Sequence, residues 1–250
     1  MSIAAPAPAA ELGFLGKTIA LARKDLRIEV RSRDTLPPML AFAVAVTLML
    51  AFTLPTVGAP RASVSTPAGT VLLVDVLAGF LWVTVLFAGL IGFARTFEVE
   101  RAEGAVDSLL LIPVDRSALF LAKGAANLVY LTIVQLFLVP LFLLLFEIDL
   151  GSGWGAMLAV IALVDIGFVS IGTLFAALAA RTTSRELMLP ILALPALIPV
   201  FIGAVELTSD LFGGGGFSAI AESGWFGILI GFDVIFGVVG ALAFEFTLDA

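Results

Sequence analysis

The sequence predicts an all-α polytopic membrane protein with six transmembrane helices, an N-terminal interfacial amphipathic helix and one helical polar insert between spans 2 and 3. Three observations predict it. Of the 250 residues 61% are hydrophobic and 13% are charged, with a mean hydropathy of +1.16, a composition typical of chains folded in lipid. The apolar residues gather into six runs, each near the roughly 20 residues that a helix needs to cross a hydrocarbon core of about 30 Å. One segment, residues 95–116 (RTFEVERAEGAVDSLLLIPVDR), breaks this pattern by setting five acids and three arginines between two of the runs.

The composition also excludes chemistry. Without cysteine there are no disulfides, thiolate metal sites or redox couples. Without histidine the commonest metal ligand, the usual general base and the usual axial haem ligand are gone. No metal site, no directly bound cofactor and no catalytic constellation is expected. The phosphate-binding pattern G-x-x-x-x-G-K-[ST] occurs nowhere, so the chain is not expected to hydrolyse ATP itself. A net charge of −7 gives nucleic acid no basic footprint to bind.

Residues 1–13 read as a flexible Ala/Pro tail without the basic and apolar regions of a signal peptide. Residues 14–36 read as an interfacial helix. Leu15, Ile19, Ala22, Leu26 and Val30 recur on one stripe, with Lys17, Lys24, Arg27 and Arg31 opposite and Leu21 and Ile28 breaking the pattern. Apolar burial and anionic headgroups hold a basic helix of this kind in the membrane plane.

Residues 37–250 form a single six-span membrane domain, with spans at about 38–57, 71–94, 117–146, 155–180, 187–205 and 224–246. The third is long enough to project from the hydrocarbon, where Lys123 can snorkel to the interface. The fifth holds Pro190, Pro195 and Pro199, which predict a kinked or broken helix. Twelve of the thirteen Lys and Arg residues fall on one side of this layout, and only Arg61 falls on the other. The positive-inside rule puts both termini in the cytoplasm.

Within the insert, Val99, Ala102, Val106, Leu109 and Leu110 share a helical face, and Glu100, Arg101, Glu103 and Asp107 occupy the rest of the circumference. Thr96 suits its start and Pro113 marks its end, giving a helix at about 96–112. By composition it is a solvated helix covering the bundle base or a docking element.

Here a family resemblance enters. The run EVERAEGAVDSLLLIPVDRSALFLAK resembles the coupling helix between spans 2 and 3 of type-2 ATP-binding-cassette exporter permeases, whose acidic pattern is E-x-E-x-G-x-x-x-x-L-L-x-x-P. Glu98, Glu100, Glu103, Gly104, Leu109, Leu110 and Pro113 match it, the first acids at slightly different spacing. With LARKDLRIEVRSRDTLPPMLAF and LWVTVLFAGLIGFARTFEVE, the chain resembles the CcmB family from about residue 18 to residue 140. The resemblance implies a permease subunit of the cytochrome c maturation system in the inner membrane. A separate cytoplasmic ATPase subunit would bind ATP and dock at Glu98, Glu100, Glu103, Gly104, Asp107, Leu109, Leu110 and Pro113. Further implied partners are a second permease copy or a larger complex, a haem-handling membrane subunit and a haem chaperone. Haem enters as a transported or handled species.

Two acids lie at bilayer depth, Asp165 in span 4 and Asp233 in span 6. An acid there costs about 2.5–3.5 kcal/mol on insertion scales, so each is a candidate for function. Asp165 shares a stripe with Gly172 and Ala176, and Asp233 with Gly237 and Gly240, which predicts helix contacts beside each acid. The functional reading is a polar path or proton site; the structural one is a protonated acid bonding a neighbour such as Ser170 or Thr173. Other classes are a type-2 exporter permease for a lipid, drug or polysaccharide and a proton-coupled secondary transporter using both acids. An intramembrane aspartyl protease fits poorly, since GFD at 231–233 replaces Gly-x-Gly-Asp.

Overall fold

A computed structural model describes residues 13–54, 63–66, 69–98, 116–180 and 185–247. The chain runs α1 (Phe14–Ser32), α2 (Leu36–Thr53), β1 (Ser63–Thr66), β2 (Gly69–Leu72), α3 (Leu73–Arg95), α4 (Arg116–Leu145), α5 (Trp154–Ala180), α6 (Arg185–Phe212), α7 (Phe217–Glu222) and α8 (Gly224–Thr247). Six of these helices are long and apolar enough to cross a membrane: α2, α3, α4, α5, α6 and α8. They correspond to the six expected spans. The antiparallel hairpin β1–β2, pairing Ser63 with Leu72 and Thr66 with Gly69, was not expected from the sequence.

α3, α4, α5 and α6 form the centre, and α2 and α8 flank them. The centre interlocks rings with glycines. A side chain at Gly172 of α5 would collide with the Phe93 ring of α3, and one at Gly89 of α3 with the Phe168 ring of α5. Close approach of this kind is how helices associate in lipid, where hydrophobic burial supplies no net drive. Edge-to-face contacts extend the interlock from Phe93 to Phe168 (5.0 Å), Phe201 of α6 (5.1 Å) and Trp82 (6.1 Å). Trp82 Nε1 donates to Thr208 of α6 at 2.8 Å, and Ser209 donates to Asp75, so polar bonds tie α3 to α6 at the end away from α1.

The fifth span, expected to be kinked or broken, is not broken. α6 is one continuous helix from Arg185 to Phe212, with Pro190, Pro195 and Pro199 inside it. It runs past the expected end at 205. Each proline removes one N–H, leaving a carbonyl four residues earlier without its helical donor, and packing against α3 and α5 carries the helix through. α6 stops at the glycine run, where Gly213 and Gly215 donate to Ser209 and Asp210 carbonyls and Gly214 has φ +91°.

Candidate functional site

The end of the bundle that carries α1 and the two ends of the 99–115 connection is called the base here. α1 lies along α4, and its faces are not those of the simple stripe. Ala22 and Glu29 are buried and Asp25 and Leu26 partly so, whereas Leu15, Ile19 and Val30 are exposed. Periodicity merged two faces: one against protein, one open beside the basic side of the helix.

Glu29 sets the elbow into α2. Its carboxylate accepts from the backbone N–H of Thr35 (2.9 Å) and of Leu36 (2.8 Å). The next two residues are Pro37 and Pro38, which have no N–H to satisfy. One side chain of α1 therefore caps the start of α2, and a carboxylate at a helix N-terminus also suits the helix dipole. Arg33 closes α1 in the left-handed region (φ 58°), its N–H bonded to the Glu29 carbonyl at 2.8 Å.

Lys123 of α4 corrects a second expectation. It does not snorkel outward; it is buried, with Nζ 3.0 Å from Asp25 of α1 and 5.4 Å from the centre of the Phe97 ring just after α3. The aromatic face and the carboxylate hold the ammonium together. One turn further along α4, Asn127 accepts from Thr96 at 3.1 Å and donates to Thr173 of α5 at 3.2 Å. The Tyr130 hydroxyl donates to the Asp25 carbonyl at 3.4 Å. Thr96 and Phe97 precede residues 99–115, and Lys123 and Asn127 stand on the helix that follows them, so the elements on either side are tied to each other and to α1. Between them lies a cavity of about 460 Å³ lined by Asp25, Glu29, Asp34, Arg95, Lys123 and Tyr130, among others.

Of the residues expected to dock a partner, Glu98 lies here beside the cavity, 3.9 Å from Arg95. Glu100, Glu103, Gly104, Asp107, Leu109, Leu110 and Pro113 lie outside the described residues, as does the 1–12 part of the tail. Sequence reading missed Asp25 and Glu29. The signal was there: two acids spaced i, i+4 in an otherwise basic helix share a face.

The two intramembrane acids part company. Asp165 is buried and bonded to Gln135 of α4 at 2.8 Å. Its partner is not the local Ser170 or Thr173: Ser170 donates to the Ile166 carbonyl, and Thr173 accepts from Asn127. Asp233 of α8 is nine-tenths buried, and neither carboxylate oxygen has a hydrogen-bond partner among the described residues. The expected small-residue contacts hold at Gly172, which receives Phe93, and at Gly240, where a Cβ would sit 2.8 Å from Phe120 of α4; a Cβ at Gly237 would meet nothing within 4 Å.

The sequence profile described as CcmB protein matches residues 17–250. A curated relative, "Heme exporter protein B" of Rhodobacter capsulatus, is 30% identical over 190 residues, covering 75% of this chain and 80% of the relative. The family match runs through the elbow helix, all six spans and the base described above. This multi-pass membrane protein belongs to the CcmB family.

Proposed function

We propose that the chain is the permease subunit of an ATP-driven complex in c-type cytochrome biogenesis, acting in the export of haem or the release of a haem-loaded chaperone. Family membership over residues 17–250 carries this reading, and the name of the Rhodobacter relative points to haem as the species handled. ATP hydrolysis belongs to a separate cytoplasmic subunit docked under residues 96–112. Both termini face the cytoplasm of the inner membrane, which puts the base on the ATPase side. Push or pull on the connection reaches α3 through Thr96 and Phe97, α4 through Lys123 and Asn127, and α1 through Asp25. Because these contacts tie the three helices together, they transmit movement as a rigid body. Haem is cargo in this reading. A haem-handling membrane subunit and a haem chaperone complete the complex, with α1 held at the interface by anionic lipid.

A haem-stained gel of membranes from cells lacking the chain, before and after its restoration, tests the role. The expected result is loss of covalent haem from c-type cytochromes with b-type haem intact, reversed by restoration. Normal c-type cytochromes would overturn the reading in favour of another cargo. For the docking element, Glu103→Lys or a bulky residue at Gly104 is expected to abolish copurification of the ATPase. Undiminished copurification would remove 96–112 as its docking site.

A further inference from the structure

α8 carries one acid at mid-span, and its surroundings are unusual. Asp233 Oδ1 lies 2.5 Å from the position that a Cβ on Gly167 of α5 would take, and that position is 3.4 Å from Val200 of α6. The carboxyl therefore fills a slot that only glycine leaves open, at the junction of α5, α6 and α8. Gly167, Val200 and Asp233 are each near the middle of their helices, so the slot sits at bilayer depth.

Among the described residues no cation answers this acid. From α5 it meets Gly167; the one ionisable residue of that helix is Asp165, about 200° round the helix at two residues' distance and already bonded to Gln135. On α6, Val200 borders the same slot, while Arg185, Glu186, Glu206 and Asp210 lie toward the helix ends. On α4, Lys123 and Tyr130 face Asp25 near the base, and Arg116 is its first residue. Glu245 lies in the last turn of α8 itself. A carboxylate with two unpartnered oxygens in hydrocarbon is costly, and the smallest partner that resolves this is a proton. Pro199 stands next to Val200, so the helix bordering the slot lacks three N–H donors.

We propose that Asp233 is a proton-binding site of the membrane domain, taking up and releasing a proton at mid-depth, whereas Asp165 is a fixed strut between α5 and α4. The two acids then differ in role as they differ in partners.

The test is dicyclohexylcarbodiimide, an apolar reagent that enters membranes. It reacts with the acid form of a carboxyl: the O–H proton moves to a carbodiimide nitrogen, the oxygen bonds to the central carbon, and the O-acylisourea rearranges to a stable N-acylurea. The full chain is labelled in its own membranes and read by peptide mass spectrometry. The expected result is an adduct at Asp233 that declines as pH is raised, with Asp165 unlabelled and the adduct lost in Asp233→Asn. Absence of label at Asp233, equal label on both acids, or label on Asp233 indifferent to pH would each overturn the proposal. Because labelling is read on the unaltered chain, misfolding of a variant cannot mimic a negative result. The outcome is also independent of which cargo the complex handles.

Discussion

At the base, Asp25, Glu29, Lys123 and Asn127 have partners for their charged or amide groups at distances between 2.8 and 3.2 Å. At mid-depth, both oxygens of Asp233 and Oε1 of Gln135 are buried without a hydrogen-bond partner among the described residues. The same kinds of side chain thus do opposite things. At the base, paired polar groups fix the spacing of helices; removing one member of such a pair costs far more than replacing both. Where a polar atom stays open at a depth water cannot supply, it is available to something that comes and goes.

The largest effect that would break this contrast is at the ion pair. Lys123→Met leaves Asp25 with only the more exposed ammonium of Lys24, at 3.4 Å, and is expected to cost about 3 kcal/mol, seen as a lower melting temperature of the chain in detergent. The double variant Asp25→Leu with Lys123→Met should recover most of that loss while still lowering c-type cytochrome yield. If the double variant is as unstable as the single one, the pair is not the clasp described. If yield is normal, the clasp holds the fold but transmits nothing.

A smaller effect is expected at the elbow. Glu29→Ala uncaps Thr35 and Leu36 and should cost about 1.5–3 kcal/mol, as for charge-assisted bonds. Proteolysis between α1 and α2 reads this directly: faster cleavage there, with the spans intact, supports the cap, and unchanged cleavage removes it. The smallest effect sharpens the mid-depth half. Asp165→Asn keeps a carbonyl oxygen to accept from Gln135, so its cost should stay below about 1 kcal/mol and cytochrome yield should stay normal. Complete loss of yield with normal membrane insertion would mean that Asp165 is more than a strut.

Most of the membrane fold was legible, because twenty apolar residues in a row have few other structures open to them. The expected spans at 117–146 and 155–180 end within a residue of Arg116–Leu145 and Trp154–Ala180. α6 was harder: proline chemistry predicts a kink or a break, and the helix runs unbroken from Arg185 to Phe212. The two intramembrane acids were found from depth alone, but their difference depends on Gln135 for Asp165 and Gly167 for Asp233, each on a different helix from the acid it meets. The base was least legible. An apolar stripe cannot say whether it faces lipid or protein, and so Asp25 and Glu29 between its members drew no reading of their own. Lys123, taken alone, has a stem long enough to reach water; a facing acid on α1 makes staying inside the better choice.

α4 has 30 residues, which at 1.5 Å per residue makes a rod of about 45 Å, roughly half as long again as the hydrocarbon is thick. A rod of that length is a gear. Tilting it by about 5° carries one end some 4 Å sideways relative to the other, close to the width of a peptide group. Lys123 and Gln135 stand about 18 Å apart along it, so the same tilt pivoted at the first shifts the second by about 1.5 Å, enough to make or break the hydrogen bond from Gln135 to Asp165.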